Sequence, residues 1–574
     1  MTGSLPGLML FDLVLTGTGL ATLVAIRPAA TFVSVLSQFG LCFWIGLAVQ
    51  GVALTWLATL GPGPSRVAVG GIAGMALGGA IASRVRFRGG REHDRPRPLS
   101  LVAAIGFGLV AAICTGELLA AWNRPLSEWD GWAFWIPKAR LLFDVGRLRA
   151  ADFTQFSGTT YPPLVPLVHG AAFGFMGAAD EVTLHLQAAV FFAAFIHAVA
   201  TLSRRVAGDL DVVPFVLLLA TIPEVLQRAL QLDGDYPTEF SFVLAALLIM
   251  IAVHDGSRWP LVAAALLLAL SANARREGLI YVGAVFVAAL VVIVGRRRSG
   301  IGVAAAAIAA GVAAIPWLLW VRVHHVQADS VPPPAGVGSV IHGNSAGSSL
   351  GHAIGVLVHY LFRFDLWSAA PYIGIAVLFA TALAGRRALP LAGFVGVILL
   401  VTGAAMLWRL LWYGGDVNPS GTPIPRISGM WSLLLCSVAP LLCASAVPRP
   451  RLPAPLAKVG ARLLGRPFAL TVAAVPAALV IIASASSLGT RLAGCEVPPS
   501  TSGPVVVVFG RASTYAAAAA LRDDVVKVGF VGTRVGFDQC GRLRVQLGAP
   551  SLTVARQIQA EARPVPLAAS IQGV

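Results

Sequence analysis

The stretch SEWDGWAFWIPKARLLF, residues 127–143, sets Glu128, Asp130, Lys138 and Arg140 among Trp129, Trp132, Phe134 and Trp135, between two strongly apolar runs. Carboxylates in that setting need water or a partner, so the stretch reads as an outside loop or interfacial helix between membrane spans. The rest of the chain supplies the context. Of its 574 residues 57% are hydrophobic and only 12% charged, and the mean hydropathy is +0.80. So little polar surface cannot coat a soluble globule, and the composition specifies a polytopic membrane protein. The net charge of +16 does not point to nucleic acid. Its basic residues cluster beside apolar runs, where they fix topology against anionic membrane lipids.

A span needs about 20 apolar residues. Fourteen segments qualify, near 8–26, 33–60, 66–83, 100–121, 183–203, 212–228, 237–254, 259–274, 278–295, 302–321, 366–385, 389–408, 428–447 and 467–488. Six arginines in 84–98, the block Arg296 to Arg298, the pair Arg386 and Arg387, and five basic residues without an acid in 449–466 should face the cytoplasm. Alternation then places 122–182, 229–236, 322–365, 409–427 and the tail from about 489 outside, together with the opening stretch. The first run has no basic residue before it and reads as a retained span, not a signal peptide. Residues 163–176 are apolar enough to cross, but counting them would put Arg204 and Arg205 outside, so they read as re-entrant or interfacial. The expected location is the bacterial cytoplasmic (inner) membrane.

The tail changes character. GPVVVVFG (503–510) reads as a buried strand, STYAAAAALRDD (513–524) as a helix capped by Ser513, and VVKVGFVG (525–532) as a second strand. Cys42, Cys114, Cys436 and Cys443 lie inside apolar runs, where a thiol serves as a small hydrophobe. Cys495 and Cys540 lie outside them. In an oxidising compartment they are a disulfide candidate, the alternative being two thiols too far apart to bond.

Several polar stretches stand at outer span ends. Glu128 and Asp130 follow the fourth span, and read alone they fit an interfacial helix with solvated acids. TTYPPLVPL (159–167) carries Pro162 and Pro163, which force an extended turn after Tyr161. QRALQLDGDYPTEFSF (227–242) holds Asp233 and Asp235, by itself an ordinary polar turn. SANARREGLIYVG (271–283) turns Arg275 and Arg276 outward, against the positive-inside bias, ahead of Glu277. An outward basic pair is explained if it holds an anion; a misplaced span is the rival.

Taken in order, the outside acid, the Lys138-Ala139 step, the Tyr-Pro-Pro-Leu turn, the second acid, the Arg-Glu-Gly turn and the late Arg426 of PRISGMWSLLLCSVAP (425–440) resemble the GT-C class of polytopic glycosyltransferases. The resemblance is to the branch containing protein O-mannosyltransferases, the lipid A aminoarabinose transferase and rhizobial lipopolysaccharide glycosyltransferases. It covers residues 100–440 loosely. It implies an all-α GT-C-like membrane protein with a small C-terminal extracytoplasmic α/β domain: extra spans in 1–99, the catalytic body in 100–488 and the appendage in 489–574. It also implies transfer of a sugar from a polyprenyl-phosphate donor to an acceptor glycan, lipid or protein. In that scheme Asp130, with Glu128 beside it, supplies the base, and Asp233 and Asp235 orient hydroxyls. Arg275, Arg276, Lys138 and Arg426 meet the donor phosphate, while Tyr161, Glu277 and His324 line the substrate.

No cofactor is implied with certainty. A divalent metal is possible as in some relatives, though the adjacent His324 and His325 lack the i, i+4 spacing of metal ligands. The chain departs from the family in its three extra opening spans, in Glu-Trp-Asp for the acidic pair, and in Arg where Lys is common at the turn. Two other classes remain open. A lipid or glycan transporter or flippase would carry its polar residues near mid-bilayer rather than at outer span ends, and a non-catalytic envelope assembly protein would need no outside carboxylates.

Overall fold

The computed structural model describes residues 4–87, 100–123, 126, 131, 135–154, 156, 158–327, 350–383, 388–413, 424–446, 505–512, 515–537, 543–563 and 569–573. Ten of the described helices are long and apolar enough to cross a membrane, and Leu164–Met176, Trp259–Ala274 and Ala370–Leu383 are shorter apolar helices. The chain is an all-α polytopic membrane protein with a small C-terminal α/β domain.

Several expected spans come out divided. Residues 33–60 form Phe32–Leu36 and Phe39–Thr59. Residues 212–228 form no single span: helix Asp209–Ala220 ends at Thr221, and Pro223 opens a new helix, Pro223–Arg228. The proline ring has no N–H to continue the ladder and drives Ile222 extended, at φ −64° and ψ 118°. The expected span 467–488 lies outside the described residues.

The core of the bundle is the helix Asp235–Asp255, in which every residue from Asp235 to Val253 is buried. A helix apolar on all sides belongs in the interior, wrapped by its neighbours. Around it the polar residues sort to opposite ends. At one end Arg204 pairs with Asp209 at 2.9 Å, Arg84 donates to the Ala30 carbonyl at 2.5 Å, and Arg296 donates to Val253 and His254 carbonyls. The other end collects Tyr161, Asp233, Asp235 and Arg275.

The helix Leu164–Met176 has both ends at the Asp235 end of the bundle. It begins just after Tyr161, which receives a hydrogen bond from Arg275. At its far end Met176 accepts from the Ser4 N–H at 3.1 Å and Gly174 accepts from Arg66 at 2.6 Å, where the helices Leu5–Ile26 and Arg66–Arg86 begin. Thirteen residues reach only about 20 Å, short of a hydrocarbon core of about 30 Å.

In the C-terminal domain β1 (Val505–Ala512), β2 (Arg534–Phe537), β3 (Leu543–Ala549) and β4 (Ser570–Gly573) form a sheet in the order β2-β3-β1-β4, with every neighbouring pair antiparallel. Helix Tyr515–Lys527 joins β1 to β2 and Leu552–Ala562 joins β3 to β4, giving a β-α-β-β-α-β unit. The first strand and helix fall where the sequence puts them. The second strand does not form over 525–532: Val525 is a buried residue of the helix, and Gly529 (φ +108°) and Gly532 (φ +92°) take the left-handed backbone that ends a strand. The strand starts at Arg534. Helix Tyr515–Lys527 packs against Ile136–Val145, so the domain stands at the Asp235 end of the bundle. Ser513, Cys495 and Cys540 lie outside the described residues or their described side chains.

Candidate active site

The site is assembled on the turn between two adjacent helices, Trp259–Ala274 and Glu277–Gly295. Gly278 makes that turn possible, because a Cβ there would fall 2.0 Å from the Ser271 carbonyl oxygen. Arg275 has extended backbone, at φ −147° and ψ 160°, and Arg276 is helical, at φ −62° and ψ −34°. The change of conformation between neighbours sends the two side chains to different places. Arg275 is buried, and Arg276 is exposed.

Arg275 reaches two segments distant in sequence and an acid on its own turn. Its Nη1 pairs with Asp235 Oδ1, its Nη2 donates to the Tyr161 hydroxyl at 3.2 Å, and its Nε stands 3.4 Å from Glu277 Oε2. The Tyr161 ring receives both guanidiniums, with Arg275 at 5.0 Å and Arg276 at 4.9 Å from its centroid, and lies 5.9 Å from the Trp135 ring. Tyr161 is the residue the double proline presents, and its loop is fixed further by Trp317, which donates to the Thr160 carbonyl at 3.3 Å.

Asp235 opens its helix, where a carboxylate suits the positive end of the dipole. Its N–H donates to Asp233 Oδ1 at 2.9 Å, so Asp233 caps the turn that Asp235 begins. The other oxygen of Asp235, Oδ2, lies 3.2 Å from Arg228, whose guanidinium also lies 3.4 Å from Glu239. Burial works against the charge on Arg228, but Glu239 and the surrounding acidic groups outweigh it and hold the guanidinium firmly protonated. On the other side Glu277 Oε1 pairs with Arg409 at 3.2 Å. Glu239, Arg228, Asp235, Arg275, Glu277 and Arg409 thus alternate in sign along one buried rail that ends at the half-exposed Arg409.

Three rail members, Arg228, Glu239 and Arg409, escaped the sequence reading. Glu239 left a usable signal: an acid four residues after Asp235 inside an apolar helix shares its face and demands a buried cation. Arg409, within the apolar WRLLWY, left the corresponding signal of the opposite sign.

Other expected site residues fall elsewhere. Lys138 is 1% exposed; its ammonium donates to the Gly158 carbonyl at 2.7 Å and sits 4.4 Å from the Phe153 ring centroid. His324 is exposed, 4.7 Å from the Trp320 ring, and makes no contact with the rail among the described residues. Glu128, Asp130 and the side chain of Arg426 lie outside what the structure describes.

The oxygens of Asp235 and Glu277 are directed at guanidiniums, and among the described residues no group of three His, Cys, Asp or Glu is arranged to hold a metal ion.

Gly234, between the two aspartates, is packed on both sides. A Cβ would lie 2.6 Å from the Trp135 ring and 2.9 Å from Arg275 Cγ. Gly234→Ala is therefore expected to lower stability by about 1–3 kcal/mol, the usual range for overpacking. Thermal unfolding of the purified variant measures this, and a melting midpoint equal to the parent's would show that Trp135 yields freely.

No protein-family model matches the chain, and no curated protein matches it. Solved structures do. The archaeal oligosaccharyltransferase AglB from Archaeoglobus fulgidus, in complex with an inhibitory peptide and a dolichol-phosphate, is 14% identical over 67% of this chain and 56% of that one, with a TM-score of 0.38. The Archaeoglobus fulgidus oligosaccharyltransferase complex with Zn and sulfate is 16% identical over 66% and 53%, with a TM-score of 0.37. Its apo form is 16% identical over 66% and 56%, with a TM-score of 0.40. The chain spans little more than half the length of these proteins.

Proposed function

We propose that the chain is a membrane glycosyltransferase of GT-C type that moves a sugar from a polyprenyl-phosphate donor to an extracytoplasmic glycan, lipid or protein acceptor. One observation carries this reading: Arg275 joins Tyr161, Asp235 and Glu277, residues from three outer segments that the family resemblance singles out independently. Outside the cytoplasm there is no nucleotide-sugar pool, so the membrane itself must deliver the donor.

In the reaction Asp130 takes the proton from the acceptor hydroxyl, the freed oxygen bonds to the anomeric carbon, and the bond from that carbon to the phosphate oxygen breaks. The single displacement inverts the anomeric centre. The electron pair leaves on the polyprenyl phosphate, where a guanidinium stabilises the developing charge. Arg275 already faces Asp235 and Glu277, so the cation directed to the phosphate is the exposed Arg276, with Arg409 at the end of the rail beside it. Arg275 positions Tyr161 and, through its ring, Arg276.

Purified protein given a panel of polyprenyl-phosphate sugars should release polyprenyl phosphate and glycosylate an envelope acceptor; no turnover with any donor and acceptor class would overturn the reading. Arg276→Ala is expected to weaken donor binding by about 1.5–3 kcal/mol, the value of a charge-assisted hydrogen bond, with the melting temperature nearly unchanged. Arg275→Ala should lower both. Direct titration with a polyprenyl phosphate separates the two roles, and equal affinity of Arg276→Ala and parent would remove Arg276 from the phosphate.

A further inference from the structure

The carbonyl just ahead of Tyr161 has no donor at the near positions. Residues 158–161 make a tight turn: Gly158 takes the left-handed backbone at φ +69°, and the Tyr161 N–H donates to its carbonyl at 3.0 Å. A turn beginning at Thr160 would be closed by the N–H of residue 162 or 163, and Pro162 and Pro163 have none. The Thr160 carbonyl is satisfied instead from 157 residues away, by the indole N–H of Trp317 at 3.3 Å. Beside it the Thr159 hydroxyl donates to the Gln327 carbonyl. Two successive residues ahead of Tyr161 are therefore tied to the helix Ile315–Val323 and the chain just beyond it.

Trp317 is a firm anchor. It is 1% exposed, stacks on Trp320 with ring centroids 4.9 Å apart and planes at 16°, and meets Phe153 edge-on at 6.0 Å. A ring packed against two others has one place for its N–H. What that N–H fixes, through Tyr161, is Arg276. Arg275 is pinned by Asp235 and Glu277 as well as by the Tyr161 hydroxyl. Arg276 is exposed and makes no ion pair among the described residues, and the Tyr161 ring, 4.9 Å from its guanidinium, is the contact that orients it.

We propose that Trp317 is a positioning residue for Arg276: its indole N–H sets the Thr160 carbonyl, hence the Tyr161 ring, hence the direction of the exposed guanidinium. The consequence for donor binding rests on the reading above that Arg276 meets the phosphate. The test uses the full-length protein in detergent. Phenylglyoxal, which modifies accessible guanidiniums, is applied without donor, and the rate at Arg276 is read by peptide mass spectrometry; affinity for polyprenyl phosphate is titrated in parallel. Trp317→Phe keeps an aromatic ring in the stack and removes the donor. It is expected to label about two- to tenfold faster at Arg276 and to bind polyprenyl phosphate more weakly by a similar factor, the equivalent of one ordinary hydrogen bond. Trp320→Phe trims the same stack, leaves the N–H in place and should do neither. In a Tyr161→Ala background Trp317→Phe should add nothing, because the ring through which it acts is gone. Unchanged labelling in Trp317→Phe, an equal rise in Trp320→Phe, or a fully additive effect on top of Tyr161→Ala overturns the proposal. Faster labelling of Trp317→Phe while Arg276→Ala binds polyprenyl phosphate like the parent upholds the positioning and removes the phosphate from Arg276 instead. Should Trp317→Phe fail to fold, benzothienylalanine at position 317, which keeps the bicyclic ring and carries sulphur in place of the N–H, is held to the same outcomes.

Discussion

Asp130→Asn is expected to abolish sugar transfer, lowering the rate by about 10²- to 10⁴-fold, the range for loss of a general base. The substitution keeps the volume of the side chain and removes its ability to take a proton, so insertion, melting temperature and donor binding should stay near those of the parent. The assignment rests on the acid's place at an outer span end, a few residues before Trp135, which the structure packs against Tyr161 and Gly234 in the site. Turnover of a polyprenyl-phosphate sugar by purified variants is the measurement. Near-normal turnover in Asp130→Asn together with a dead Glu128→Gln would transfer the role two residues upstream, and normal turnover in both would sink the carboxylate mechanism.

The second large effect is on the fold. Asp235→Ala takes the shared anion from between Arg228 and Arg275, both nearly buried, and among the ion pairs of the described residues leaves Glu239 to the one and Glu277 to the other. Breaking a buried pair by removing one partner costs about 3–5 kcal/mol, because the remaining charge stays out of water. The variant should melt well below the parent and transfer poorly even where folded, since Arg275 no longer holds Tyr161. Adding Arg275→Met should recover part of the lost stability and none of the activity, and the non-additivity of the double-mutant cycle measures the coupling. If Asp235→Ala melts with the parent, the rail does not hold these helices.

Much of the architecture was legible because a membrane simplifies the problem. Length and apolarity located the helices, the arginine blocks gave their expected orientation, and the charge of Arg204 and Arg205 kept 163–176 from being counted as a crossing. Legibility ended where short-range chemistry overrides hydropathy. Pro223 divides a segment whose composition is continuous, and two left-handed glycines end a run of valines that reads as a strand. Asp233, Asp235, Arg275 and Tyr161, singled out by type and order, come together in space. The different placing of Arg275 and Arg276 was not legible, because it depends on a change of backbone conformation between them that no spacing records.

The alternating rail has a consequence for how this protein can change over generations. A lone reversal of sign at any of Glu239, Arg228, Asp235, Arg275, Glu277 or Arg409 places like charges side by side in a nearly dry interior, so single steps are closed to it. Related chains should therefore show these six positions either fixed or altered in neighbouring pairs, an acid and a base exchanged together or both replaced by apolar residues. Arg276, facing outward beside them, makes no ion pair with the rail among the described residues, and a base kept there would reflect the phosphate common to all such donors instead.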